Sequence, residues 1–259
     1  LYHLQNNISA LDLTLFIEPR YFEIFQSYDT KIHLKKFSLE NSNYQEFSFF
    51  DFVFIITADY NSLLRRHFNN LKKENKNLFF FITIAEAYKL NISIYDFLIS
   101  EFSKYLNLDV NDYSNINFFR NFIELPQQYN LKLLNNLAHT GSGSKNKNLE
   151  LTELIFFFEK YNLTKENTNI LLGPIELENQ PFLLDFFRDF KILQDIANYQ
   201  ILIAILQNID FYFGYDSGIS HLYGLLNKRG VVIFKNSNAT VWRPYSKKIE
   251  IESAFISNF

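Results

Sequence analysis

Cysteine and methionine are both absent from this 259-residue sequence, and only 7 glycines and 5 prolines interrupt it. Without thiols there is no disulfide framework, no thiolate metal site and no cysteine nucleophile. Without methionine there is no initiator, which points to sequence upstream of Leu1. No apolar run approaches the roughly 20 residues that span a bilayer, so membrane contact is expected to be peripheral at most. An excess of one charge is also lacking. The 25 basic and 28 acidic side chains leave a formal charge of −3 and a pI near 6.0, against a general electrostatic grip on nucleic acid or anionic lipid.

What is present is apolar and aromatic. Hydrophobic residues make up 47%, with 30 Phe and 16 Tyr, enough for burial to offset chain entropy without cross-links or a structural metal. The abundance of Phe, Asn, Lys, Ile and Tyr reads as the coding bias of an AT-rich genome and carries no mechanism. The length suits one large α/β unit or two smaller domains.

Strand-like and helical segments alternate, as in α/β folds with parallel sheets. In the first half the hydrophobic pattern predicts strands at Leu11–Ile17, Lys31–Phe37, Phe52–Thr57 and Leu78–Ile84, with helices at Tyr60–Leu71 and Ile92–Leu108. The polar stretches Glu40–Glu46 and Asn107–Asn117 read as loops. The second half opens with a strand at Leu131–Ala138, the small-residue turn His139–Asn148 and a helix at Leu149–Tyr161. A strand at Ile170–Gly173, a helix at Pro181–Phe190 and a short strand at Ile192–Leu193 follow, then a helix from a capping Asp195 to Gln207. Phe211–Gly214, Ser217–Leu226 and Gly230–Phe234 complete a β-α-β-α-β-α-β-α-β order. In such sheets ligands gather beyond the carboxyl ends of the strands.

Three strand-to-helix junctions carry unusual residues on that rim. In Gly141-Ser142-Gly143-Ser144, followed by Lys145 and Lys147, small residues let backbone N–H groups approach a phosphate and a lysine adds mobile charge. A solvated turn would look the same. In Gly173-Pro174-Ile175-Glu176 a carboxylate just past a strand can accept sugar hydroxyls, or simply face water at a turn. The third is Gly214-Tyr215-Asp216-Ser217-Gly218-Ile219-Ser220-His221, where helix-start donors suit a diphosphate and Ser217 and His221 share a face. Asp216 or Ser217 could equally be a plain helix cap. Arg65, Arg66 and His67 follow the Phe52–Thr57 strand and suit either an acceptor phosphate or an exposed helix face. His33 and His139 have no partners at metal-ligand spacing and receive no role.

The run Asp216–Tyr245, DSGISHLYGLLNKRGVVIFKNSNATVWRPY, resembles the signature of glycosyltransferase family nine, the heptosyltransferases. Phe234, Val241, Trp242, Pro244 and Tyr245 fall in register with its FGPTDPxxWxPY loop, and GSGSKNKNL resembles its G-S-G-S-x-x-K-x-W-P segment with Lys147 at the lysine position. GPIE occupies the place of its GPxE turn. There are departures: FGPTDP reads FKNSNA at Phe234–Ala239, and Leu149 replaces the tryptophan of the lysine loop. The likeness covers most of 131–245, and 1–130 only in strand order.

The resemblance implies a GT-B type α/β fold, two Rossmann-like domains with parallel sheets facing a cleft, an acceptor-side domain at 1–128 and a nucleotide-sugar domain at 129–259. It implies inverting, metal-independent transfer of a heptose-like sugar from a nucleotide diphosphate donor, ADP-linked in the family, to a lipopolysaccharide or other saccharide acceptor, with no cofactor. Bacterial lipopolysaccharide biosynthesis in the cytoplasm, at the inner face of the inner membrane, is the implied setting. Lys147 would neutralise the leaving diphosphate. Donor contacts would come from Gly141, Ser142, Gly143, Ser144, Glu176, Asp216, Ser217, Gly218 and His221, and Arg65 and Arg66 would meet the acceptor. As an exposed loop lysine, Lys147 should contribute little to stability. The family's base, an aspartate in the first β-α turn, would lie upstream of Leu1, because Tyr2–Gln5 reads as the end of the first helix; Asp12, Asp51 and Asp59 are the candidates within the chain. The alternative is a non-catalytic nucleotide-sugar-binding or scaffold relative of the same fold.

Overall fold

The computed structural model describes residues 12–22, 32–38, 44–57, 63–74, 79–106, 135–194, 196 and 198–254. They fall into two compact units, one holding the described residues up to 106 and the other those from 135 onward. The expected boundary near Tyr129 lies outside the described residues, as do Tyr2–Gln5.

In the first unit β1 (Leu13–Ile17) pairs parallel with β2 (Ile32–Lys36), and β3 (Val53–Thr57) with β4 (Phe79–Thr83). Among the described residues these are two separate two-stranded ladders rather than one sheet. Helices α1 (Leu63–Glu74), α2 (Ala85–Leu90) and α3 (Ile94–Leu106) accompany them. Strand alternation sends neighbouring residues to opposite faces. Thus Ile55 joins Phe47 and Phe68 in one cluster, while Phe54 stacks on Phe80 at 5.4 Å beneath Phe102 and Tyr105 of α3. Two short helical segments were not expected from the sequence: Tyr44–Phe49, and α2, which ends where Asn91 adopts φ 50° and its N–H meets the Ala87 and Tyr88 carbonyls.

The second unit is more regular. Its strands are β5 (Asn136–His139), β6 (Thr168–Leu171), β7 (Lys191–Leu193), β8 (Phe211–Tyr215), β9 (Arg229–Phe234) and β10 (Ile249–Ser253), all parallel in the order β10-β9-β8-β5-β6-β7. Between them run α4 (Leu151–Lys160), α5 (Pro174–Asn179), α6 (Phe182–Phe186), α7 (Tyr199–Asn208), α8 (Gly218–Leu225) and α9 (Ala239–Trp242). Both faces of the sheet are covered. Leu137, Leu171, Tyr212 and Val232 pack with Leu202, Ile205 and Leu206 of α7 and Tyr223 of α8. Their strand neighbours Ala138, Ile170, Phe213 and Val231 pack on the other side with Leu154, Phe157 and Phe158 of α4 and Leu183 of α6. Continuous apolar strands are what burial on both faces demands, and each large side chain buried here contributes about 1.5–3 kcal/mol. Truncating Phe157, 2% exposed, to alanine would cost about 3–5 kcal/mol.

Three local expectations need correction. Helix α7 begins at Tyr199 with Asn198 as its cap, the side chain accepting the Gln200 N–H at 2.7 Å; Asp195 lies outside the described residues. The GPIE turn is itself the start of α5, because Pro174 at the first position has a preset φ and no N–H to strand. Strand β10 was missed, since the charged alternation of Ile249–Ser253 gives an edge strand little apolar signal.

Candidate functional site

The strand order reverses direction between β5 and β8, which are hydrogen-bonded neighbours although sequence separates them. Such a switch point leaves a crevice beyond the carboxyl ends of the two strands. The loop after β5 is residues 140–148 and the loop after β8 is Asp216–Ser217; β6, on the other side of β5, ends at Leu171 and leads through Gly173 into the first turn of α5 at Glu176. The three junctions singled out in the sequence therefore lie side by side on one edge of one sheet.

The first loop is closed on itself. The Ser142 N–H donates to Asn148 Oδ1 at 3.0 Å, and the Ser142 hydroxyl donates to the Ser144 carbonyl at 2.9 Å. Asn148 is itself buried, and Gln180 fastens the chain beyond it by donating to the Leu149 carbonyl at 3.2 Å. Gly143 and Ser144 are left exposed at the tip. Lys145 points to solvent, whereas Lys147 turns inward and places Nζ 2.6 Å from Asp216 Oδ2. Lys147 keeps 32% of its side chain exposed and Asp216 only 5%, so the lysine is the partner of a buried carboxylate rather than the free loop cation expected from the sequence.

Ser217 caps α8, accepting the Ser220 N–H, and His221 sits one turn along with its ring 6.5 Å from that of Trp242. The first N–H groups of the helix, from Gly218 and Ile219, have no intrahelical partner and form a ready anion-binding end. Burial pushes His221 below its ordinary value and the charge of Lys147 adds to this, against Asp216.

Glu176 faces inward. One of its oxygens accepts the Gly173 N–H at 2.8 Å and the other lies 3.5 Å from His139 Nε2. Burial acts to raise its carboxyl, but hydrogen bonding and charge from His139, with the Glu176 and Gly173 N–H groups, outweigh it and hold the group below its ordinary value. The acid thus already has protein partners, unlike the rim carboxylate read from the sequence. Its side chain also explains Gly141, where an added Cβ would sit 1.9 Å from Glu176 Cγ. Gly143 and Gly218 differ: an added Cβ meets nothing within 4 Å, and no glycine has positive φ. Neither internal packing nor backbone conformation requires glycine at those two positions.

His139, passed over in the sequence, lies at the centre. It ends β5, is 4% exposed, and its Nδ1 is 3.4 Å from Ser217 Oγ. Its place at the end of a continuous apolar strand, one residue before the Gly-Ser loop, was the available signal. The loop that departs from the FGPTDP pattern is tied down: Lys235 pairs with Glu153 at 2.7 Å, and Asn236, at φ 58°, donates to the Asn146 carbonyl at 2.7 Å.

Residues 197–258 match the model of glycosyltransferase family 9 (heptosyltransferase). That match contains Asp216, Ser217, Gly218 and His221, and the resemblance seen in the sequence stands on it. Among solved structures, the family 9 glycosyl transferase from Veillonella parvula aligns with a TM-score of 0.68 at 14% identity, covering 100% of this chain and 82% of that one. E. coli heptosyltransferase WaaC with ADP aligns at 0.65 and 14% identity, covering 97% of this chain and 87% of that one. E. coli ADP-heptose lps heptosyltransferase II gives 0.63 and 11% identity, covering 99% and 88%. Curated proteins give no match. The fold is the α/β, GT-B type of these heptosyltransferases.

In the first unit Arg65 does not stand free on a helix face. It donates to Thr83 Oγ1 at 2.6 Å and lies over the Phe81 ring at 4.8 Å, while Arg66 is exposed. Asp12 and Asp51 precede β1 and β3, at the amino ends of their strands and away from the edge where ligands gather; Asp59 and the side chain of His67 lie outside the described residues. Among the described residues no helix is long and apolar enough to cross a membrane.

Proposed function

We propose that this chain is a glycosyltransferase that takes a heptose-like sugar from an ADP-linked donor and passes it, with inversion and without a metal, to a lipopolysaccharide or other saccharide acceptor. The observation that carries the reading is the open space at Gly143, in the loop after β5, and at Gly218, the first residue of α8, on the two sides of the β5/β8 switch point, together with the Lys147–Asp216 pair. Space that neither packing nor conformation demands is available to a ligand. The helix-start N–H groups and Lys147 suit an anion there, and the remaining lone pairs of Glu176 suit the hydroxyls of an attached ribose.

As the glycosidic C–O bond breaks, negative charge builds on the departing diphosphate. Donors offered by the Ser144 hydroxyl, the Gly218 N–H and Lys147 bind that charge more tightly in the transition state than in the ground state, which is the condition for accelerating transfer. To engage the diphosphate Lys147 exchanges part of its contact with Asp216, so donor binding reorders an existing ion pair. Arg66 and, once released from Thr83, Arg65 are the groups of the first unit suited to an acceptor phosphate. The setting that fits such an acceptor is the cytoplasmic face of a bacterial inner membrane. Titrating ADP, ADP-sugars, UDP and GDP in a thermal-shift panel tests the reading, because a ligand at 100 times its dissociation constant stabilises by about 2.7 kcal/mol. Stabilisation by ADP-linked compounds and release of ADP in the presence of a saccharide acceptor are expected. A panel in which no nucleotide diphosphate shifts the melt would refute it.

A further inference from the structure

The switch-point edge contains a buried polar chain whose central member, His139, has no part in the transfer chemistry above. Glu176 in the first turn of α5, His139 at the end of β5 and Ser217 at the cap of α8 are linked in that order, Oε1 to Nε2 at 3.5 Å and Nδ1 to Oγ at 3.4 Å. The chain continues from Ser217 to Ser220 Oγ at 3.3 Å and from there to the Tyr212 hydroxyl at 3.1 Å. His139 and Glu176 are 5% and 9% exposed in their side chains, so the imidazole works out of contact with bulk water. A carboxylate only accepts, which makes Nε2 the donor toward Glu176, and Nδ1 meets the Ser217 hydroxyl in a direction set by the protons on the ring. One ring thereby fixes two groups on separate loops. Both contacts are at the long end of hydrogen bonding.

We infer that His139 is a positioning residue that holds Glu176 and Ser217 in mutual register, so that the ribose hydroxyls and the diphosphate of one donor are met together. The inference rests on the nucleotide-diphosphate reading of this site. With Glu176 fixed by Gly173 and His139, its remaining lone pairs have a set direction; with the Ser217 oxygen held between Nδ1 and the Ser220 N–H, the Gly218 and Ile219 N–H groups are left to the phosphate. Without the ring, each arm would have to be ordered separately by the ligand.

Isosteric replacements separate the arms. Glutamine places its amide near the Nε2 position and asparagine near Nδ1, so His139→Gln keeps the Glu176 contact and His139→Asn keeps the Ser217 contact. With ADP as probe, calorimetry should show affinity lowered at least tenfold in His139→Ala. Adenosine should bind His139→Gln like the unmodified protein and His139→Asn more weakly; inorganic pyrophosphate should show the reverse. A merely structural role would lower the melting temperature and weaken both probes alike in both variants, and that pattern overturns the inference, as does unchanged ADP binding in His139→Ala. Nitrogen NMR of the imidazole in the unmodified protein gives a second readout should the variants fail to fold. Nδ1 should respond to pyrophosphate and Nε2 to adenosine, and a ring blind to both refutes the coupling. Absence of any ADP binding by the unmodified protein would instead remove the nucleotide reading itself, and this inference with it.

Discussion

Gly141→Ala and Gly143→Ala differ by two positions in the same loop and should have opposite consequences. At Gly141 the new methyl would meet Glu176 Cγ at 1.9 Å and its Oε1 at 2.3 Å, so the acid must leave. Glu176 then gives up the Gly173 N–H at 2.8 Å and its approach to His139. A charge-assisted hydrogen bond contributes about 1.5–3 kcal/mol and overpacking of a filled site costs about 1–3 kcal/mol, so with partial relaxation the loss should be about 2–4 kcal/mol. For a domain of this size that corresponds to a melting temperature lower by about 6–12 °C. At Gly143 the methyl enters open space. Restricting the unfolded chain should leave stability unchanged or raise it by up to about 1 kcal/mol, while ADP affinity falls because the methyl occupies the ligand's space. The sole tryptophan, Trp242, lies in the same unit and reports urea unfolding of all variants. Equal stability of Gly141→Ala and Gly143→Ala would refute the Glu176 packing, and undiminished ADP binding by Gly143→Ala would refute the assignment of the open space.

Lys147→Ala should lower turnover at least about tenfold, or about 1.4 kcal/mol of transition-state stabilisation, and should also destabilise the fold by about 1–2 kcal/mol, because it strands the buried Asp216. Adding Asp216→Asn should restore much of the stability and none of the turnover, as read by melting and product assay. The Lys235–Glu153 pair, with side chains 15% and 16% exposed, should behave alike: Lys235→Ala costs about 2–3 kcal/mol, and the double variant with Glu153→Gln, which keeps an acceptor for the Glu150 N–H, recovers most of it. His221 is depressed in the fold from 6.5, so the unfolded chain binds more protons just below that value. Its contribution is intact above pH 6.5 and lost as pH falls through the window to its folded value, and His221→Gln should flatten urea midpoints measured from pH 7.5 to 5.5. Glu176 and Glu252 are both held below 4.5, so a second loss should begin below about pH 4.5 and shrink in Glu252→Gln.

The strands of the second unit were legible from the sequence because burial on both faces demands continuous apolar runs, and Leu137–Ala138, Phe211–Tyr215 and Val231–Phe234 are such runs. The helix start at Ser217 and the Gly-Ser loop were legible too, since small and capping residues there answer to local backbone geometry. Strand β10 and the Asn198 cap carry too little apolar period or too common a residue type to stand out. The site itself divides along the same line. Its residue types could be read in order along the chain, but order says nothing of which strand ends are neighbours. Only the parallel pairing of β5 with β8 and β6 sets Lys147 on Asp216, 69 residues away, folds Glu176 into the space beside Gly141, and makes His139 the link between two loops. Long-range pairing is decided by the packing of whole faces, so partners were determined in the tertiary structure and chemistry in the sequence.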